Sequence, residues 1–130
     1  MMQSKRTVLV VDDDTFTAEM TGMILESSDF QVILAEAGLE ALEKLAVNPA
    51  IMVIVSDLHM PLLDGLELHA ELRRQGYLQP FVLLTGLETD QLKSDHPEID
   101  QILQKDEELP ELLPEVVGAL CDRVPGGPRV

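Results

Sequence analysis

Acidic side chains stand directly after two apolar runs that predict strands. Asp12 and Asp13 follow residues 7–11, and Asp57 follows residues 51–55 after a single serine. Carboxylates brought within a few ångströms of one another repel and raise each other's pKa unless a hard cation neutralises them. Mg²⁺ suits such a cluster because it accepts one or two carboxylates together with water and a phosphate oxygen, and Mn²⁺ is the alternative. The three aspartates therefore predict a divalent metal site beside a phosphoryl group.

A hydroxyl and an ammonium group stand at the ends of two further apolar runs. Thr85 follows residues 81–84, and Lys105 follows residues 101–104. Both side chains suit the oxygens of a phosphoryl group. A carboxylate nucleophile, a metal and two groups that hold phosphoryl oxygens together describe aspartyl-phosphate chemistry.

Five apolar runs alternate with helical patterns along the chain. The runs cover residues 7–11, 30–35, 51–55, 81–84 and 101–104. This alternation predicts βαβ units, and right-handed crossovers give a parallel five-stranded sheet with helices on both faces, a three-layer α/β sandwich. In the flavodoxin-like strand order 2-1-3-4-5, the carboxyl ends of strands one and three meet at one crevice. That order would bring Asp12, Asp13 and Asp57 together.

Helical spacing predicts four regular helices and one weak one. The regular helices cover residues 15–28, 38–46, 66–75 and 109–120, and the helix after Thr85 is predicted to be short or irregular. Asp14 or Thr15 is placed to cap the first helix, with Asp14 preferred, and Gly76 ends the third. The last helix is predicted to be regular only from Glu111, with Pro114 among its unbonded first amides. The inward candidates of the first two helices are Phe16, Met20, Met23, Ile24, Leu25, Leu39, Leu42 and Leu45.

The composition indicates one acidic domain. The chain has 130 residues, with 9 Lys and Arg against 24 Asp and Glu, and its net charge is -15. This balance argues against direct binding to nucleic acid or to an anionic membrane, because both are bound through clustered cations. No apolar run approaches the roughly 18 residues of a membrane span, and the first residues lack the apolar core of a signal peptide.

The ends of the domain and its location are predicted from the same features. We expect one domain over residues 1–122 and a flexible tail, or the start of a linker, over residues 123–130. The single cysteine, Cys121, excludes an internal disulfide and fits a core position near the end of a helix. A cytoplasmic location fits this cysteine content.

Four motifs in this order resemble the receiver domain of two-component response regulators, a family of the CheY-like superfamily. The motifs are Val-Val-Asp12-Asp13-Asp14, Asp57-Leu-His-Met-Pro61-Leu-Leu-Asp64-Gly65, Leu-Leu-Thr85-Gly86, and Lys105 after a short strand. The resemblance covers residues 5–120, and its most specific part is the string that begins at Asp57. It implies a signalling phosphoacceptor that only phosphorylates itself from a donor and dephosphorylates itself, rather than an enzyme that turns over other substrates.

The resemblance implies a role for each residue around the metal. Asp57 would be the phosphoacceptor and, with Asp13, a direct metal ligand. Asp12 would bind the metal through water, and His59 would contribute its backbone carbonyl. The histidine side chain itself is not expected to take part.

The resemblance also implies how the phosphoryl group arrives and is held. Thr85 would shift its hydroxyl toward the bound phosphoryl group, and Lys105 would pair with it. The donor would be a sensor histidine kinase, a histidine phosphotransfer protein or a small acyl phosphate. The output domain or effector protein that responds is not identified by the sequence.

Two positions depart from the family pattern. The family commonly has a proline in a cis peptide after the lysine, whereas this chain has Asp106, which predicts a trans peptide and a different placement of Lys105. Three residues before the lysine the family usually has an aromatic switch residue, and this chain has Ile102. These departures bear on signal transmission through the fourth helix and fifth strand, and leave the phosphorylation chemistry intact.

Two other functions compete with the phosphoacceptor. The run that begins at Asp12 partly resembles the Asp-x-Asp-x-Thr loop of haloacid dehalogenase-type phosphatases, in which the first aspartate is the nucleophile. Its fifth position is Phe16 rather than threonine, and the chain lacks the length for their cap insertions. The second alternative is a receiver-like module that binds proteins independently of phosphorylation, which Ile102 and Asp106 favour.

Overall fold

Strands and helices alternate along residues 5–123, the part of the chain that the computed structural model describes. The strands are β1 (Thr7–Val11), β2 (Gln31–Ala35), β3 (Ile51–Asp57), β4 (Phe81–Thr85) and β5 (Gln101–Gln104). The helices are α1 (Thr15–Glu26), α2 (Gly38–Val47), α3 (Gly65–Arg74), α4 (Asp90–Asp95) and α5 (Leu109–Asp122). Apart from Arg123, the tail predicted for residues 123–130 lies outside the described residues.

All five strands are parallel and form one sheet in the order β2-β1-β3-β4-β5, which confirms the predicted topology. Every residue of the central strand β3 is buried. This burial explains its unbroken apolar run, because a strand covered on both faces has no solvent side on which to place polar residues.

The register of the strands aligns the acidic residues. Val11 at the end of β1 lies opposite Ser56 of β3. Asp12 and Asp57 are the next residues after this pair, one on each chain segment. Asp57 in turn lies opposite Leu84 of β4. Because parallel strands end at the same edge of the sheet, this register places Asp12 beside Asp57 at the carboxyl edge.

The core consists of two apolar clusters, one on each face of the sheet. One cluster joins α1 and α5 to the sheet and includes Val8, Val10, Leu25, Val53, Val55, Leu113 and Val117. The other joins α2 and α3 to it and includes Leu9, Ala41, Leu45, Ile54, Leu68, Leu72 and Phe81. This arrangement is the predicted three-layer sandwich. None of the helices within residues 5–123 has the length and apolar character needed to cross a membrane.

Local capping signals fix where the helices next to the carboxylates begin and end. The Asp14 side chain accepts a hydrogen bond from Thr17 N at 3.1 Å, as predicted for the cap of α1. Asp64 and Glu67 form a reciprocal capping box at the start of α3. Gly76 follows that helix with φ +91°, a left-handed conformation that glycine adopts without steric cost.

The predicted inward face of α1 is partly wrong, because Phe16, Met20 and Met23 are exposed. The helix instead turns Ala18, Thr21, Gly22 and Leu25 toward the sheet. Gly22 lies against β2, where an added Cβ would be in ordinary van der Waals contact with Val32 Cγ1 at 3.4 Å. In α2 the prediction is wrong for Leu39, which is exposed, and correct for Leu45, which is buried.

The predicted start of α5 is also wrong, because the helix begins at Leu109 and Pro114 lies inside it. A turn before the helix explains the earlier start. Asp106 Oδ1 accepts a hydrogen bond from Glu108 N at 3.0 Å, and Asp106 O accepts one from Leu109 N at 3.1 Å. The fourth helix is short, as predicted, with six residues.

Candidate functional site

Three carboxylates meet at the carboxyl edge of the sheet. Asp12, Asp13 and Asp57 each offer an oxygen, and these oxygens all lie within 4.8 Å of one another. Asp12 is 4% exposed and Asp57 8%, whereas Asp13 is open to solvent. Two buried carboxylates and one exposed carboxylate in this arrangement fit a hard divalent cation that keeps part of its water.

The Lys105 ammonium also enters this cluster. Its Nζ lies 2.5 Å from Asp57 Oδ1 and 3.4 Å from Asp12 Oδ2. The main chain positions it, because Lys105 N donates to Thr85 O at 2.7 Å and so extends the pairing of β4 with β5. The peptide bond to Asp106 is trans, as predicted, and the side chain nevertheless reaches both carboxylates.

Burial and charge act against each other at this cluster. Burial raises the pKa of Asp12, and the neighbouring charge of Asp57 raises it further, while the Asp14 backbone and Lys105 oppose the rise. Burial also works against the charged form of Lys105, but the hydrogen bond and charge of Asp57 and the charge of Asp12 outweigh it and raise the pKa of the ammonium. Lys105 is therefore cationic at neutral pH and neutralises part of the acidic cluster.

Thr85 ends β4 and is completely buried. It lies opposite Gln104 of β5 and one residue beyond Leu84, the partner of Asp57. Its Oγ1 accepts a hydrogen bond from Leu87 N at 3.1 Å. The hydroxyl oxygen is therefore engaged by its own loop, at the edge where the carboxylates stand.

The connection from β3 to α3 holds His59 directly after the acidic strand. The neighbouring Leu58 and Met60 are buried, and the His59 side chain is exposed. Leu58 N donates to Leu84 O at 2.8 Å, and Leu58 O accepts from Gly65 N at 2.9 Å. These bonds fix the main chain directly before His59, and the role of His59 as a carbonyl ligand stays a prediction.

Two contacts that support the site were not foreseen in the sequence. Asp14 N donates to Asp12 Oδ1 at 3.0 Å, so the residue that caps α1 also orients a site carboxylate. Gly65 lies so close to β3 that an added Cβ would be 2.6 Å from Asp57 O. The consecutive aspartates could have signalled the first contact, because such residues often form turns with the backbone two residues on.

Comparisons with known proteins agree on one family. The model of the response regulator receiver domain matches residues 8–117. Response regulator MprA of Mycobacterium sp. (strain KMS) is 40% identical over 79 residues, which cover 61% of this chain and 34% of the relative. The chain thus matches only about a third of the length of that curated relative.

Solved structures of receiver domains have the same fold. The receiver domain of the Francisella response regulator 1452 superposes with a TM-score of 0.82 at 31% identity, covering 92% of this chain and 98% of the other. Response regulator TrrA of Thermotoga maritima, solved in complex with Mg(2+)-BeF, gives a TM-score of 0.77 at 28% identity, covering 88% and 98%. The family model spans most of the described residues, including every predicted site residue. The chain belongs to the response regulator receiver domain family.

Proposed function

We propose that this receiver domain accepts a phosphoryl group on Asp57 and that the modification switches its binding to an output domain or effector protein. The observation that carries the proposal is the 2.5 Å contact between Lys105 Nζ and Asp57 Oδ1 within the cluster of three carboxylates. The donor is a phosphohistidine on a sensor histidine kinase or a histidine phosphotransfer protein.

The transfer is a displacement at phosphorus. An Asp57 carboxylate oxygen attacks the phosphorus of the phosphohistidine and the nitrogen–phosphorus bond breaks. The ring nitrogen leaves with the bonding electrons, and the ring becomes neutral imidazole with a proton taken from water. The product is an acyl phosphate on Asp57. Lys105 can then pair with a phosphoryl oxygen instead of the free carboxylate, which keeps a cation against the added negative charge. Hydrolysis of this acyl phosphate by water returns the domain to its starting state.

The residues present fit Mg²⁺, or Mn²⁺ in its place. Asp12, Asp13 and Asp57 would hold the cation, with the His59 carbonyl as a further oxygen donor, and all of these groups are hard ligands. When bound, the cation offsets the charge of the phosphoryl oxygens. The related TrrA structure in complex with Mg(2+)-BeF supports this assignment.

Thr85 links the phosphoryl group to the rest of the domain in this proposal. Its Oγ1 is bonded to Leu87 N in the loop that leads to α4. A hydroxyl that turned to a phosphoryl oxygen on Asp57 would exchange that bond, and the loop would have to move with it. The switch is therefore a local change in hydrogen bonding at Thr85 that moves the loop between β4 and α4.

A second candidate is a receiver-like module that binds its partner whether or not it is phosphorylated. The burial of Ile102 favours it, because this side chain is 3% exposed, pairs with Leu83 and already belongs to the core. An isoleucine fixed there gives the strand no aromatic group that could move between core and surface. We place either form of the protein in the cytoplasm, where the free thiol of Cys121 is stable.

The test is labelling with acetyl phosphate and Mg²⁺, followed by intact mass measurement. The wild-type chain should gain one phosphoryl group, and Asp57→Asn should gain none. Equal labelling of the variant would refute the assignment of Asp57. Partner binding that is the same before and after labelling would favour the second candidate.

A further inference from the structure

Large apolar side chains are exposed in each of the first four connections at the carboxyl edge of the sheet. Within the described residues, they follow β1, β2, β3 and β4 in turn and are Phe16, Leu39, Leu62 and Leu87. This edge is also where the three carboxylates lie. Exposed apolar side chains therefore stand at the same edge of the sheet as the acidic centre.

Leu62 is the most exposed of these side chains, at 95%. Its φ of +69° lies in the left-handed region, and Leu63 N donates to Pro61 O at 2.7 Å to close a three-residue turn around it. A positive φ favours glycine or asparagine, and this form of three-residue turn is rare and strained. Because Leu62 is almost fully exposed, its side chain gains little packing within the domain to offset that strain.

The residues around Leu62 hold it in this position. Leu63 packs on the start of α2, where a Cβ added at Gly38 would lie 2.6 Å from Leu63 Cδ2. On the other side Met60 is buried. The turn is thus fixed at both ends, and Leu62 projects as a rigid apolar group rather than as part of a loose loop. Strain that persists at such a place points to a function outside the domain's own stability.

We infer that Leu62 is an apolar anchor for the protein that delivers the phosphoryl group, an inference that rests on the proposed function. Leu62 lies five residues after Asp57, in the connection that begins at that carboxylate. A macromolecular donor has to cover this edge to bring its phosphohistidine to Asp57, and doing so would bury Leu62. A small acyl phosphate reaches Asp57 without touching it.

The acidic charge of this edge indicates which kind of donor surface would fit it. Acidic side chains are exposed at the same edge of the sheet, among them Asp13 and Asp14 after β1, Glu88 after β4 and Asp106 after β5. The matching surface is an apolar depression for Leu62 that is bordered by lysine or arginine. Apolar contacts at the centre of such an interface supply most of its affinity, and the charges accelerate the encounter.

Leu62→Asn and Leu78→Asn form a matched pair for the test. Asparagine tolerates the left-handed conformation, so the first variant keeps the turn and removes the apolar group. Leu78 is 78% exposed and lies between α3 and β4, at the opposite edge of the sheet. The probes are acetyl phosphate and the phosphorylated cytoplasmic portions of the histidine kinases encoded in the genome from which the chain comes.

For the kinase that labels the wild type fastest, Leu62→Asn should lower the second-order rate constant of transfer about tenfold or more. Leu78→Asn should leave that rate within about twofold, since rim or remote contacts contribute little. Both variants should be labelled by acetyl phosphate at the wild-type rate.

Several results would overturn the inference. One is an equal rate of transfer from the kinase to wild type and to Leu62→Asn. Another is an equal loss of rate in Leu62→Asn and Leu78→Asn. A third is a wild type that is labelled by acetyl phosphate but by none of the kinases. If the wild type is a dimer and Leu62→Asn is a monomer with an unchanged rate of transfer, Leu62 belongs instead to a contact between two copies of the chain. If neither acetyl phosphate nor any kinase labels the wild type, the proposed function fails and the anchor fails with it.

Discussion

Lys105 Nζ lies 2.5 Å from Asp57 Oδ1, and 93 residues separate Lys105 from Asp12, which the same ammonium also contacts. The sheet brings these groups together, because Asp12 follows β1, Asp57 ends β3 and Lys105 follows β5. A cation fixed beside a buried carboxylate would favour the proposed acceptance of a phosphoryl group, since that reaction adds negative charge at this point.

Replacement of Lys105 by alanine should slow phosphorylation without preventing it. A hydrogen bond to a charged group contributes about 1.5–3 kcal/mol, so the rate of labelling by acetyl phosphate should fall about ten- to hundredfold. Time courses of intact mass at fixed Mg²⁺ would measure this rate. Lys93→Ala, which removes an exposed lysine on α4, should leave it unchanged. Equal rates in the two variants would show that Lys105 does not assist the transfer.

Addition of Mg²⁺ should stabilise the domain through the carboxylate cluster. A ligand that binds only the folded state raises the free energy of unfolding by about 1.4 kcal/mol at ten times its Kd. Asp13→Asn should lose most of this gain because it removes a charged oxygen donor, whereas Glu115→Gln on α5 should retain it. Thermal unfolding with and without Mg²⁺ would measure both, and the same rise in Asp13→Asn as in wild type would contradict the site.

A side chain added at Gly65 should displace the main chain of Asp57 and so disturb the site. An added Cβ would lie 2.5 Å from Leu83 Cδ1 and 2.6 Å from Asp57 O, so Gly65→Ala should cost about 1–3 kcal/mol of stability. It should also reduce the gain from Mg²⁺, because the main chain of Asp57 has to shift. At Gly86 the corresponding space is open, so Gly86→Ala should have little effect on urea unfolding. Similar losses in both variants would contradict this close packing.

His69 should make the domain less stable in mild acid. Its side chain is buried against Phe81, and its Nε2 has no hydrogen-bond partner within residues 5–123. Burial, followed by the charge of Arg73, lowers the pKa of His69 from its usual 6.5, although Glu98 and Asp100 oppose this. As pH falls below about 6.5, the unfolded chain gains a proton that the folded chain does not, so the free energy of unfolding declines.

The variant His69→Leu should remove this part of the pH dependence. Between pH 7 and pH 5 the wild type should lose more stability than the variant, by up to about 1.4 kcal/mol for each pH unit between the two pKa values. Urea unfolding at both pH values, without metal, would measure the difference. His59→Gln replaces an exposed histidine and should behave as wild type. Parallel losses in wild type and His69→Leu would show that His69 does not contribute.

The sequence predicted the sheet, and the edge at which Asp12, Asp13 and Asp57 meet, better than it predicted the helix faces. Apolar runs that end at Asp12, Asp57 and Thr85 indicate both the strands and the edge at which they finish, because parallel strands share that edge. The inward face of α1 was not predictable from apolar spacing, since the exposed Phe16 is as apolar as any core residue. The buried face of α1 is the one that packs on β2, which lies beyond the helix's own sequence.

The contact between Lys105 and Asp57 likewise could not be derived from spacing. It depends on the register of β4 with β5 and on a trans peptide before Asp106. The strain at Leu62 was also hidden, because a leucine in a loop gives no sign that its φ is positive. Both features follow from tertiary contacts rather than from local preference.

Location of the phosphoryl group in the chain tests the central claim most directly. After labelling with acetyl phosphate and Mg²⁺, borohydride reduces an aspartyl phosphate to the corresponding alcohol, and peptide mapping identifies the altered residue. We expect the reduced side chain at position 57 alone. Reduction at Asp12, or labelled protein with no altered aspartate at position 57, would contradict the assignment of Asp57 as the phosphoacceptor.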